Sequence, residues 1–216
     1  MKKRVAVLIS GRGSNMQALI DAARTPDYPA EIVRVISNRP DAGGLQRAAD
    51  AAIEHEVVDH KAFLGREKFE AELDRRLKAC GAELVCLAGF MRLLTGGFVE
   101  AWRDRLINIH PSLLPAFPGL DTHGRALAAG VRFAGCTVHF VRAEMDSGPI
   151  IVQAAVPVLP GDDEERLAAR VLEAEHRAYP LALALVASGR ATVSGEAVAI
   201  DGAVPPEGFL LNPAAM

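Results

Sequence analysis

The chain has 216 residues, a formal net charge of -3 and 50% hydrophobic residues, which is enough apolar material for a sizeable core. No Lys/Arg run exceeds the opening Lys2-Lys3-Arg4, which argues against general nucleic-acid binding, and the apolar run at 5–9 is too short for a signal or a membrane span. Three cysteines, Cys80, Cys86 and Cys136, are odd in number, sit in apolar surroundings and lack zinc spacing, which predicts buried free thiols and a cytoplasmic setting.

Residues 5–9 form the first expected strand, followed by a helix over 14–23, a strand over 33–37 and a helix over 46–52. A weak strand lies near Val57. Phe69, Leu73 and Leu77 have helical spacing within 66–80, and 84–87 is a continuous apolar strand of the kind buried on both faces. A strand over 106–110, a short helix over 122–129, strands over 136–141 and 150–156, and a long helix over 163–186 follow. This alternation predicts one α/β domain over 1–216: a Rossmann-like, mostly parallel twisted sheet with helices on both faces and late strands partly antiparallel. Residues from about 190 onward predict a peripheral hairpin, with Gly195 and Gly202 in turns, and a loose tail.

Asn108 and His110 are two apart on a strand, so both point to one face at its carboxyl end, where open α/β sheets keep their sites. Pro111, Pro115 and Pro118 make the loop behind them stiff. A carboxamide beside an imidazole supplies two aimed donors for a developing oxyanion. Asp146, in a turn between strands, is either a turn cap or a carboxylate that favours the imidazolium of His110. Gly11-Arg12-Gly13-Ser14-Asn15 joins a strand to a helix, and is either a tight turn needing positive φ or an anion cradle built from its amides. Met16 replaces the third glycine of a dinucleotide fingerprint and no Walker ending follows, so a phosphate monoester is the expected guest. His55 and His60 are expected at the surface, His139 in the core or lining a pocket, His123 near an anion, and His176 on a solvated helix face. Met91, Arg92, Leu93 and Leu94 follow the buried fourth strand and could line an apolar slot with exposed amides.

Ser-Gly-Arg-Gly-Ser-Asn at 10–15, Leu-Ala-Gly-Phe-Met-Arg-Leu-Leu at 87–94, Asn-Ile-His-Pro-Ser-Leu-Leu-Pro at 108–115, Met-Asp-Ser-Gly-Pro-Ile at 145–150 and Glu-His-Arg-Ala-Tyr-Pro at 175–180 run in order over nearly the whole chain. Together they resemble the phosphoribosylglycinamide formyltransferases, folate-dependent enzymes of purine synthesis. The resemblance implies attack by the amine of glycinamide ribonucleotide on the formyl carbon of the co-substrate 10-formyltetrahydrofolate, with no metal and no covalent enzyme intermediate. It implies that His110 and Asn108 stabilise the oxyanion while Asp146 raises the imidazole pKa and takes part in moving protons. It places the substrate phosphate on Gly13, Ser14 and Asn15 and the ribose on Glu175. The folate is expected along Met91, Arg92, Leu93 and Leu94, beside Asn108, against Arg142, Ala143, Glu144 and Met145, with Arg66 near its benzoyl-glutamate end. The partners implied are small molecules, with no nucleic acid and no membrane, for a monomer or homodimer.

Two positions depart from the family. Asp121 stands where many relatives have histidine, and Ala116 where the loop has a basic residue, so altered phosphate binding is expected before lost chemistry. A formyltetrahydrofolate deformylase would share the trio but resembles this chain plus a regulatory domain. Methionyl-tRNA formyltransferase would add a basic RNA-binding domain. A non-catalytic nucleotide- or folate-binding module would not need Asn108, His110 and Asp146 together.

Overall fold

The computed structural model describes residues 1–204, 207–208 and 210–213. The elements in order are β1 (Lys3–Ile9), α1 (Ser14–Ala23), β2 (Ala30–Ser37), α2 (Gly44–Asp50), β3 (His55–Val57), a 3-10 turn (His60–Ala62), α3 (Arg66–Ala79) and β4 (Leu84–Leu87). They continue as α4 (Gly96–Ala101), β5 (Leu106–His110), α5 (Thr122–Ala128), β6 (Phe133–Phe140), β7 (Ile150–Pro157), α6 (Glu164–Ala187), β8 (Ala191–Ser194) and β9 (Ala197–Ile200).

Seven strands form one sheet in the order β3-β2-β1-β4-β5-β6-β7, and β8 and β9 pair separately as an antiparallel hairpin. The pairs from β3 through β5 are parallel, and β5–β6 and β6–β7 are antiparallel. The fold class is therefore as expected. Of the hairpin and tail expected from about 190 to 216, residues 205–206, 209 and 214–216 lie outside the described residues.

Burial on both sides of the central strands follows from their near-continuous apolar runs. Val5, Val7 and Ile9 of β1 join the core under α1 and α6, with Met16, Leu19, Val171 and Tyr179, while Ala6 and Leu8 face Phe69, Leu73 and Leu77 of α3. Leu8 is fully buried, so truncation to Ala would cost about 2–5 kcal/mol. Cys80, Cys86 and Cys136 are buried and free.

Several elements differ from the sequence expectation: β2 and β6 each begin three residues early, the 3-10 turn at 60–62 was not expected, and α2 and α4 depart for reasons the contacts show. α2 starts and stops two residues early, because Gly44 seats its N–H on the Gly11 carbonyl at 3.0 Å. α4 was not expected at all, since it opens on Gly96 and Gly97, which disfavour helix. Thr95 offsets them by capping: its hydroxyl accepts from Phe98 N at 3.3 Å. Phe98, Val99 and Trp102 then bury against α3, where the Trp102 indole donates to Asp74 at 3.0 Å.

In chain order the sheet grows one way from β1 to β3 and the other way from β4, so its switch point lies between β1 and β4. Ligand crevices of open α/β sheets form outside the carboxyl ends at such a point. The 11–15 loop after β1, the 88–95 segment after β4 and the proline loop after β5 all leave from that edge.

Candidate functional site

His110 ends β5, and its side chain is 7% exposed. Nδ1 lies 3.4 Å from Asp146 Oδ1, and Nε2 lies 3.1 Å from the Phe117 carbonyl. Both ring nitrogens thus face oxygen acceptors, Nε2 at hydrogen-bond distance and Nδ1 within ion-pair distance of the carboxylate. Asp146 is itself held, since its Oδ2 accepts from Gly119 N at 2.7 Å. Its positive φ of 49° turns the chain so that the carboxylate reaches back over the proline loop.

The loop is fixed from outside as well as by its prolines. Thr137, the cross-strand partner of His110, donates to Ser112 O at 2.7 Å and accepts from Leu114 N at 3.0 Å. Ser112 Oγ donates to Ala116 O at 2.6 Å. These bonds aim the Phe117 carbonyl at the imidazole.

Asn108 pairs with His139 across β5 and β6, with Nδ2 at 3.3 Å from Nε2. His139 Nδ1 lies 3.0 Å from Phe140 O and 3.1 Å from Ser147 O. Two carbonyls can only accept, so Nδ1 carries the proton and Nε2 accepts from the carboxamide. Burial lowers the His139 pKa, which keeps this neutral tautomer.

At the first crevice wall, Gly13 caps α1 in the left-handed region at φ 73°. A Cβ there would come within 2.8 Å of Gly44 Cα, so the close approach needs glycine as much as the turn does. Asn15 Nδ2 donates to Glu175 Oε2 at 2.8 Å. Glu175 is 6% exposed, which overturns the solvated-face reading of its neighbourhood. Burial raises its pKa and the Asn15 bond partly opposes this. His176 is half-buried, with its Nε2 unpaired among the described residues and its pKa lowered by burial and then by Arg47.

The pattern of the formyl transferase family matches residues 3–183. The chain belongs to the formyl transferase family. Phosphoribosylglycinamide formyltransferase of Escherichia coli (strain K12) is 46% identical over 206 residues, which cover 95% of this chain and 97% of that protein. The trifunctional purine biosynthetic protein adenosine-3 of Drosophila melanogaster is 57% identical over 197 residues, 90% of this chain, but the chain spans only 15% of that protein's length. The crystal structure of glycinamide ribonucleotide transformylase 1 from Symbiobacterium toebii has a TM-score of 0.90 at 52% identity, covering 92% of this chain and 94% of that one.

In this formyl transferase the residues expected along the folate are not all alike. Met91 and Leu93 project outward, 68% and 60% exposed, while Arg92 and Leu94 are half-buried. Ala143 and Glu144, with Gly96 and Val99 of α4, line a cavity of about 460 Å³. Arg142 also lines it, but its Nη2 is committed to Asp104 at 2.8 Å, so it offers the cavity its stem and main chain rather than a free charge. Met145 is exposed beside Asp146, and its methyl lies 3.6 Å from where a Cβ on Gly119 would stand. Arg66 is exposed at the start of α3.

Asp121 caps α5 in a left-handed conformation, and its carboxylate and that of Glu164 converge over Gly124. His123 is half-buried next to them, and burial lowers its pKa against the pull of Glu164 and Asp121. His60, expected at the surface, instead bonds Asn38 through Nδ1, 3.0 Å from its carbonyl. Sequence reasoning gave no role to Ser10, Asn38 or Glu70, all buried and all bonded to the crevice walls. Their signal was a polar residue inside an apolar pattern: Ser10 directly after the 5–9 run, and Glu70 beside Phe69 on the helix face that packs inward.

Proposed function

We propose that this protein transfers the formyl group of 10-formyltetrahydrofolate to the amine of glycinamide ribonucleotide. The observation that carries this is the pair of donor groups, His110 and Asn108, held by Asp146 and His139 at the carboxyl end of β5, with β4 between that strand and the glycine loop after β1. The near-full-length similarity to bacterial enzymes of that name supports the choice of substrates.

The phosphate sits on the amides of Gly13, Ser14 and Asn15 at the α1 terminus, where the helix dipole favours an anion. Glu175 accepts from the ribose hydroxyls. The folate lies along Met91, Arg92, Leu93 and Leu94 and against Arg142, Ala143, Glu144 and Met145, with Arg66 toward its glutamate end. Arg66 precedes Glu70 by one helical turn, and Glu70 holds the end of that segment, so the two share a face.

The amine nitrogen attacks the formyl carbon, and the carbonyl oxygen takes up the electron pair. Asn108 Nδ2–H and a ring N–H of His110 stabilise that oxygen, the His110 proton leaving one of its two protein acceptors. Asp146 stabilises the imidazolium meanwhile. The attacking nitrogen loses a proton, N10 of the folate gains one, and the carbon–N10 bond breaks to give formyl glycinamide ribonucleotide and tetrahydrofolate.

The test is His110→Ala. Turnover should fall by roughly 100-fold or more, as when an oxyanion donor is removed, with tetrahydrofolate binding retained. Loss of folding instead would make His110 a structural histidine.

A further inference from the structure

Residues 91–95 form a strap outside helix and strand whose middle makes no main-chain hydrogen bond to the rest of the described protein, while both ends are held. Met91 N donates to Ser10 Oγ at 2.8 Å, and Ser10 Oγ donates onward to Asn38 Oδ1 at 2.6 Å. Ser10 also donates its own N–H to Gly89 O at 3.1 Å. Asn38 in turn has Nδ2 3.2 Å from His60 Nδ1. At the far end Thr95 N donates to Glu70 Oε1 at 2.9 Å, and the Thr95 hydroxyl donates to Glu70 Oε2. Glu70 is 4% exposed, and both oxygens of this buried carboxylate are spent on one residue of the strap.

A buried carboxylate is costly unless fully hydrogen-bonded, and a salt bridge is the usual remedy. Among the described residues no cation pairs with Glu70; main-chain and hydroxyl donors of Thr95 satisfy it instead. Between the two anchors, the N–H and C=O groups of Arg92, Leu93 and Leu94 have no main-chain partner among the described residues. Main-chain groups so placed at a crevice are satisfied by water or ligand. Their separation and direction are fixed only if both ends of the strap are fixed.

We propose that Ser10 and Glu70 are positioning residues: they pin the strap at Met91 and Thr95 so that the main chain of Arg92 to Leu94 presents preformed hydrogen-bonding groups to the pterin-bearing substrate. This rests on the folate placement above. Ser10 is also the last residue before the glycine cradle, so one hydroxyl joins the two crevice walls at the sheet's switch point. Glu70 is buried and spends both carboxylate oxygens on Thr95, so the effect expected of it on the folate runs through Thr95.

The experiment measures binding of tetrahydrofolate and of ribose 5-phosphate to the wild-type protein and to Glu70→Gln, Ser10→Ala and Thr95→Ser, with melting temperatures alongside. Glu70→Gln keeps the shape but removes the charge and reverses the bond to the Thr95 hydroxyl, whose oxygen must then accept from the new amide as well as from Phe98 N, and Ser10→Ala leaves Met91 N without its acceptor. Each should weaken tetrahydrofolate roughly tenfold. Ribose 5-phosphate binding should stay unchanged in Glu70→Gln, and KM for the formyl folate should rise there more than kcat falls. Thr95→Ser, which keeps both donors, should bind like wild type. Where Glu70→Gln does not fold, Thr95→Val reads the same contact. Folded variants with wild-type tetrahydrofolate affinity overturn the positioning role, as does parallel weakening of both ligands in Glu70→Gln. A wild-type protein that binds ribose 5-phosphate but no tetrahydrofolate overturns the folate placement and this inference with it.

Discussion

Asn108 and His139 face each other across β5 and β6, and the direction of the bond between them is fixed from behind by the Phe140 and Ser147 carbonyls. A carboxamide has two ends that differ only in chemistry, and an oxyanion needs the donating one. By offering Nε2 as an acceptor, His139 decides which end of Asn108 lies where. His139→Phe should therefore lower kcat about tenfold or more, ~1.4 kcal/mol of barrier, with KM for both substrates little changed. His139→Gln, which can still accept, should recover part of it. Since burial lowers the His139 pKa, the neutral form persists below the ordinary 6.5 and is lost on further acidification. Its share of turnover and of stability is present at neutral pH and falls on the acid side, and His139→Gln should remove that component of the pH–rate profile.

Glu175 trades stability for binding. Burial raises its pKa from the ordinary 4.5, so the folded state holds the proton more tightly than the unfolded chain does. Stability on its account is greatest below 4.5 and declines as pH rises through the folded value. Glu175→Gln keeps an oxygen for Asn15 and removes the charge. Its melting temperature should exceed that of wild type at pH 7 to 8, with the advantage vanishing near pH 4. KM for the ribonucleotide should rise roughly tenfold, because one acceptor for the ribose is lost.

Much of this was legible in the sequence. The strands β1, β4 and β5 announce themselves as apolar runs too short for helices, and Asn108 and His110 share a face because they are two apart on one of them. The role of His139 was not legible, because its partner lies 31 positions away and the pairing exists only once β6 turns antiparallel to β5. Glu70 and Ser10 escaped for the same reason: a lone carboxylate on a charged helix looks solvated until Thr95 arrives beside it. α4 was missed because capping at Thr95 and burial of Phe98 outweigh two glycines, a tertiary effect that local propensity cannot register.

The turn leading into α6 depends on Asp162, which accepts from Leu159 N at 2.8 Å and takes Arg170 on both oxygens at 2.7 and 2.9 Å. Hydrogen bonds from Arg170, then from Leu159, hold its pKa down at about 2. The stabilisation is present above the ordinary 3.8 and is lost as pH falls toward about 2. Asp162→Asn should melt below wild type from pH 5 to 8, and the two melting curves should converge as the solution approaches pH 2.

Gly13→Ala places a methyl in a left-handed position and 2.8 Å from Gly44 Cα. The backbone strain alone costs about 1–2 kcal/mol, and relief requires the cradle to open. Ribose 5-phosphate affinity should fall while tetrahydrofolate affinity holds; calorimetry on the two ligands separates the outcomes. Equal affinity for ribose 5-phosphate in the variant would place the phosphate elsewhere.

The most direct measurement is release of tetrahydrofolate from 10-formyltetrahydrofolate by the purified protein, with and without glycinamide ribonucleotide. Release that requires the ribonucleotide, with the formyl group recovered on its amine, is the expected result. Release at the same rate without it would make water the acceptor and the protein a hydrolase, contradicting the assignment of Asn108, His110 and Asp146 to amine formylation.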